Sequence, residues 1–92
     1  MIRSFRHKGL RRFFESSSHR GIPPENANRI RRMLDRLDAS RVAEDMNLPG
    51  YTFHELTGDR KRTYAVAVTG NWRITFEFDD KRAKNVNLED YH

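Results

Sequence analysis

Tyr64-Ala65-Val66-Ala67-Val68-Thr69-Gly70-Asn71-Trp72-Arg73-Ile74-Thr75-Phe76-Glu77-Phe78, residues 64–78, is where the chain changes to a period of two. Tyr64, Val66 and Val68 fall on one face of a first strand, and Trp72, Ile74, Phe76 and Phe78 fall on one face of a second. Strand side chains point alternately to opposite faces, and a Gly-Asn pair between two alternating runs is a hairpin signal. If the aromatic face packs against the rest of the chain, the pleat turns Arg73, Thr75 and Glu77 to the other side.

Downstream, Asp79-Asp80 reads as another turn, and Val86 with Leu88 opens the apolar face of a last strand. Upstream, Asn47, Pro49 and Gly50 mark a loop, Tyr51 to Leu56 suits a strand, and Thr57-Gly58-Asp59 turns the chain back. Before that loop the period is helical. Leu10, Phe13 and Phe14 recur at i, i+3, i+4, closed by Ser16, Ser17, Ser18 and Gly21. Pro23 and Pro24 suit the first turn of a second helix from Glu25 to about Arg41, whose stripe is Ala27, Ile30, Leu34 and Leu37. Met1 to Phe5 suits an edge strand. The expected fold is α+β: two N-terminal helices packed on a curved antiparallel β-sheet, one domain over residues 1–92.

At 92 residues a single core is expected, and six Phe, three Tyr and one Trp must supply much of it. There is no cysteine, so neither a disulfide nor a thiolate metal site supplements that core, and nothing calls for an oxidising compartment. Tyr64 to Val68, the longest apolar run, falls far short of the about 20 residues of a membrane helix. Met1 to Arg12 lacks the apolar segment of a signal peptide, so a cytoplasmic protein with no membrane partner is expected.

Charge divides the chain. Residues 1–41 hold eleven Lys/Arg against four Asp/Glu, and residues 42–92 hold seven against nine, so the halves carry +7 and −2. Arg outnumbers Lys by fourteen to four. A guanidinium meets phosphate or carboxylate with two parallel hydrogen bonds, so an anionic partner is expected. Arg29, Arg32 and Arg36 lie off the apolar stripe of the second helix, where they either meet RNA or an acidic protein or form a solvated face.

Arg73 is displayed on the open face of a strand, and His54, opposite Phe53 and Tyr51, shares that face if the strands are neighbours. Arg60, Lys61 and Arg62 add positive charge near one end of the hairpin and form a candidate phosphate clamp. The chain ends Glu89-Asp90-Tyr91-His92, which gathers a carboxylate, a phenol and an imidazole on the last strand. RNA cleavage by internal attack needs one group to take the 2′-hydroxyl proton, one to protonate the departing 5′-oxygen, and cations on the phosphate. His, Asp, Tyr and Arg fill these roles without metal. The carboxylate on His92 itself favours its imidazolium, which casts His92 as acid rather than base. His7, His19, His54 and His92 are scattered without zinc-site spacing, and no Gly-rich phosphate loop or nucleophile elbow occurs, so no metal and no cofactor are expected.

Met1-Ile2-Arg3-Ser4-Phe5, Gly58-Asp59-Arg60, Asn71-Trp72-Arg73-Ile74-Thr75-Phe76 and Glu89-Asp90-Tyr91-His92 together resemble the HigB toxins of the RelE superfamily, from the first residue to the last. The resemblance implies a ribosome-dependent endoribonuclease whose concave sheet face enters the A site and cleaves messenger RNA. It implies a HigA-like helix-turn-helix antitoxin as partner, with DNA contacted only through that antitoxin. Residue by residue it assigns the site to His54, Arg73, Asp90, Tyr91 and His92. Thr57 departs from the pattern, because many relatives place a lysine just before Gly-Asp-Arg; Lys61 or Arg62 would then substitute. The reading from another class is a non-catalytic basic module that binds RNA or protein.

Overall fold

The central hairpin forms where the alternation puts it. In the computed structural model, which describes residues 1–90, β2 (Tyr64–Ala67) pairs antiparallel with β3 (Trp72–Asp79), Val66 facing Ile74 and Ala67 facing Arg73. The amides of Val68 and Thr69 both donate to the Trp72 carbonyl, at 2.8 and 3.1 Å, which closes the turn. β4 (Arg82–Asp90) pairs antiparallel with β3, and a two-residue β1 (His54–Glu55) pairs with β2, so the sheet runs in the order β1-β2-β3-β4. Asp80 and Lys81, both at positive φ (53° and 63°), form the β3–β4 turn, the conformation whose twist matches a two-residue hairpin.

Two helices cover one face of this sheet, as the fold expectation has it. α1 (Lys8–Ser16) starts at His7, whose ring Nδ1 accepts from the Leu10 amide at 3.0 Å, and ends at Ser17 in the left-handed region with its amide on the Phe13 carbonyl. The proline pair opens a 3-10 turn (Pro24–Asn26) that leads into α2 (Ala27–Ala39), two residues short of the expected end at Arg41. Ser40 stops it by turning extended, at ψ 148°. Ile30, Met33, Leu34 and Leu37 of α2 are wholly buried and join Leu10, Val66, Ile74, Phe76, Val86 and Leu88 in one cluster. Burying a side chain of this size contributes about 1.5 to 3 kcal/mol, so this layer dominates the stability.

Two expected strands are shorter than their patterns. Met1 to Phe5 runs parallel beside β4 but bridges it only at Ile2–Ala83 and Phe5–Val86. The run from Tyr51 to Leu56 narrows to His54–Glu55, because Thr52 sits at φ 50° and interrupts the extended backbone. Tyr51 and Phe53 still pack on the core, Phe53 stacking on Tyr64 with centroids 5.7 Å apart. Aromatic burial therefore survives without the ladder.

Candidate active site

The face of the sheet away from the helices is polar. Opposed residues of an antiparallel pair share a face, so Ala67, Arg73 and Glu89 form one row across β2, β3 and β4, and His54, Ala65, Thr75 and Asn87 form the next. Ala65 and Thr75 are buried and small, and they floor the surface between the longer side chains.

Glu89 is the centre of this face. Its Oε1 accepts from Arg60 Nη1 at 2.9 Å and Arg73 Nη2 at 3.3 Å, and its Oε2 accepts from Arg60 Nη2 at 2.5 Å and Thr75 Oγ1 at 2.6 Å. The Asn87 side-chain amide adds a bond to Oε2 at 3.4 Å. The Arg60 hydrogen bonds, and then Thr75 and Arg73, outweigh desolvation and hold the Glu89 carboxyl down at about 2. Glu89 in turn raises the pKa of Arg60. A bidentate guanidinium–carboxylate pair next to a second guanidinium is a rigid arrangement, and its donors are spaced for two oxygens of one anion.

His54 lies at the exposed edge of the same face. Its Nδ1 is 2.9 Å from the Thr52 carbonyl, which only accepts, so Nδ1 carries the proton and Nε2 of the neutral ring holds the lone pair. β2 stands between β1 and β3, so His54 and Arg73 are not on neighbouring strands. Two strand spacings and a two-residue offset put their backbones about 12 Å apart, close enough for both side chains to reach one phosphodiester.

The turn Gly58–Arg60 swings Arg60 over Glu89. Lys61 is exposed and lines a cleft of about 400 Å³ together with Thr57. Arg62, at φ 73°, is exposed and donates its backbone amide to Glu55 Oε2 at 2.9 Å. Asp90 faces Trp72, one step out of phase with Glu89, and its Oδ1 accepts from Asn71 Nδ2 at 3.3 Å. The structure therefore gathers His54, Arg60 and Arg73 on one face and sets Asp90 at the strand end on the Trp72 side. Tyr91 and His92 lie outside the described residues. Glu89, Thr75 and Asn87 were not singled out as site residues from the sequence, although counting by twos from Leu88 and Val86 leaves Asn87 and Glu89 on the Arg73 face.

The arginines of α2 divide. Arg29 donates to the carbonyls of Gly50 and Ala67 at 2.7 and 3.0 Å and lies over the Tyr51 ring, and Arg36 Nε donates to the Asp45 carbonyl at 3.1 Å. Arg31, inside the same helix, holds the carbonyls of Phe13 and Phe14 at the end of α1 and sits 4.8 Å above the Phe13 ring. Arg32 is exposed. Two of the three arginines flagged in the sequence thus fasten loops, and Arg32 stays on the surface.

Over residues 3–92 the chain matches the family model described as the RelE-like toxin of type II toxin-antitoxin system HigB. It is 40% identical over 92 residues to the endoribonuclease HigB of Proteus vulgaris, covering 100% of both chains. It is 33% identical over 91 residues to toxin HigB-1 of Vibrio cholerae, covering 97% of this chain and 96% of that one. Among solved structures it resembles a YafQ mutant from E. coli in fold, with a TM-score of 0.52 at 13% identity over 98% of this chain and 93% of that one. The chain belongs to the HigB family of RelE-like toxins of type II toxin-antitoxin systems.

Proposed function

We propose that this toxin is an endoribonuclease that cuts messenger RNA in the A site of the ribosome by internal attack. The observation that carries the reading is the pair of guanidiniums, Arg60 and Arg73, gathered on one anion on an open, rigid sheet face. The Proteus vulgaris relative is named an endoribonuclease, which supports the same chemistry. In the proposed reaction the ribose 2′-oxygen bonds to phosphorus and the bond from phosphorus to the 5′-oxygen breaks. The products are a cyclic phosphate and a free 5′-hydroxyl.

His54 takes the 2′-hydroxyl proton on Nε2, the nitrogen its Thr52 contact leaves with a lone pair. Arg73 stabilises the charge that builds on the phosphoryl oxygens, and Arg60, paired with Glu89, holds that carboxylate beneath it. The family resemblance assigns protonation of the departing oxygen to Asp90, Tyr91 and His92, with His92 as the proton donor. Lys61, from the Thr57 cleft, or the neighbouring Arg62 adds positive charge toward the phosphate. The basic first half of the chain faces ribosomal RNA, and a HigA-like antitoxin neutralises the toxin in the cytoplasm and alone touches operator DNA.

The test uses purified protein in a translation reaction, with the ends of the messenger RNA mapped. Cuts in register with codons are expected, and Arg73→Ala combined with His92→Ala should lower the rate at least about 100-fold, the usual loss when a transition-state partner goes. Undiminished cutting by the double variant would remove these residues from the reaction.

A further inference from the structure

The open face holds a second feature beyond the Arg73 row. A polar cavity of about 170 Å³ lies one step along the sheet, lined by Arg6, Asp59, Arg60, Glu77, Asn85 and Asn87, with Thr75 in its floor. Its volume is well below the roughly 300 Å³ at which clefts for drug-sized molecules begin, so its occupant is a single small group.

The cavity is built by a distortion of the backbone. The β3–β4 register shifts between Thr75 and Glu77, and Asn85 sits there at φ 53°, inside a strand where a side chain rarely takes the left-handed region. Lys84 and Asn85 together occupy the gap between the core residues Ala83 and Val86, so one extra residue stands on the polar side. A β-bulge bends its strand and re-aims a side chain, and it persists only where surrounding contacts hold it. Here the N-terminal segment does so: Ser4 Oγ accepts from the Asn85 amide at 2.9 Å and the Ser4 carbonyl accepts from the Val86 amide at 3.1 Å. The same segment delivers Arg6 to the cavity wall. Asn85 Nδ2 donates to Glu77 Oε2 at 3.2 Å, which fixes the amide and makes its oxygen the group on offer.

The lining selects the ligand. Asp59 and Glu77 only accept hydrogen bonds when ionised, and neither is in an ion pair among the described residues. Of the two guanidiniums, Arg60 is already committed to Glu89. A phosphate here would face two carboxylates against one available cation, so an anion is disfavoured. A neutral planar ring with amino or imino donors toward the carboxylates and acceptors toward Arg6 and the Asn87 amide fits instead. Adenine, cytosine and guanine each offer an exocyclic amino group. Uracil offers one N–H between two carbonyls, which carboxylates repel. Single-stranded RNA is read in this way, by hydrogen bonds to the edges of unstacked bases.

We infer that this cavity receives one unstacked RNA base, taking an amino-bearing base in preference to uracil, beside the phosphate engaged by Arg73. Arg60 belongs to both features, so the base and the phosphate lie on the same or adjoining nucleotides. The inference rests on the nuclease reading for its substrate class, but its test does not need cleavage.

Non-cleavable 2′-deoxy trinucleotides that differ only in the central base are titrated into the isotope-labelled full chain, and the side-chain amide signals of Asn85 and Asn87 are followed. Adenine, cytosine or guanine should move them at concentrations about tenfold lower than uracil, the scale on which one good base-edge contact discriminates. Glu77→Gln and Asp59→Asn, each checked for native melting, should shrink that preference. Equal responses to all four bases, or a preference that survives both substitutions, overturns the cavity as a base site. Selective binding without cutting in the translation reaction would retain the cavity and sink the nuclease. Cutting whose position ignores Glu77→Gln would do the reverse.

Discussion

Replacing Glu89 by Gln probes the site through stability rather than turnover. The folded carboxyl titrates at about 2 instead of its ordinary 4.5, because Arg60, Thr75 and Arg73 bind its charged form. At 1.36 kcal/mol per unit this sets a ceiling of about 3.4 kcal/mol on the ionised group at neutral pH. Arg60 is 40% exposed, so solvent screening brings the expected cost of Glu89→Gln nearer 2 kcal/mol. In a domain of this size that lowers the melting temperature by roughly 10 °C. The pH dependence is sharper still. A group whose folded pKa is depressed contributes above its unfolded value and loses that contribution as pH falls through the folded one, here from about 4.5 toward about 2. The gap between wild type and variant should be nearly flat above pH 5, roughly half closed near pH 3, and reduced to about a tenth near pH 2, where half of the folded Glu89 carboxyls are protonated. Urea titrations of both proteins at each pH measure it, and subtraction cancels every other carboxylate. A gap under about 0.5 kcal/mol at pH 7, or one that does not narrow on acidification, would show that the guanidiniums do not depend on Glu89.

Three further outcomes follow from the helices and turns. His7 caps α1 through a ring nitrogen that must be unprotonated, and burial, with Arg12 nearby, lowers its pKa, so this cap contributes fully above 6.5 and is lost as pH falls through the lower folded value. His7→Asn, which caps without titrating, should remove that step from melting curves between pH 7 and 5, and its persistence would place it elsewhere. Gly9→Ala should destabilise despite alanine's helix propensity advantage of about 1 kcal/mol, because a Cβ there meets His7 Cε1 at 2.8 Å and the Arg20 carbonyl at 3.2 Å; a rise in melting temperature would contradict the packing. Lys81→Gly, at φ 63° in the β3–β4 turn, should raise stability by about 1 kcal/mol, read from denaturant midpoints, and a loss would mean that the side chain contributes more than its strain costs.

The parts of the fold that were legible are those where one physical signal dominates. The alternation at Trp72, Ile74, Phe76 and Phe78 places β3 and both of its faces, and the helical stripe at Ile30, Leu34 and Leu37 places α2. What failed to show was local backbone geometry. Tyr51 to Leu56 has the composition of a strand, yet Thr52 at positive φ breaks it, and no residue type announces that. The loop-fastening role of two helix arginines was hidden for a related reason. Arg29 and Arg36 have the composition of a nucleic-acid face, but their length lets them reach the carbonyls of loops distant in sequence, which periodicity does not register.

The site itself turns on the phase of the last strand. Ala83, Val86 and Leu88 face the core at a spacing of three and then two, and a spacing of three in a period-two element requires an inserted residue. That slip is visible in the sequence once Ala83 is counted as core. It has two consequences on the polar side. It restores the phase that puts Asn87 and Glu89, rather than Asp90, in the rows of Thr75 and Arg73, and it leaves Asn85 over as the residue beside Glu77. One inserted residue therefore accounts both for the carboxylate that organises Arg60 and Arg73 and for the polar cavity next to it. Deleting Asn85 should leave Val86 and Leu88 on the core and Glu89 on the Arg73 face, because the shortened strand alternates by twos from Ala83, while removing the side chain beside Glu77. A fold that keeps its melting temperature within a few degrees but loses the base preference would bear this out, and wholesale unfolding would show that the extra residue is needed for the phase itself.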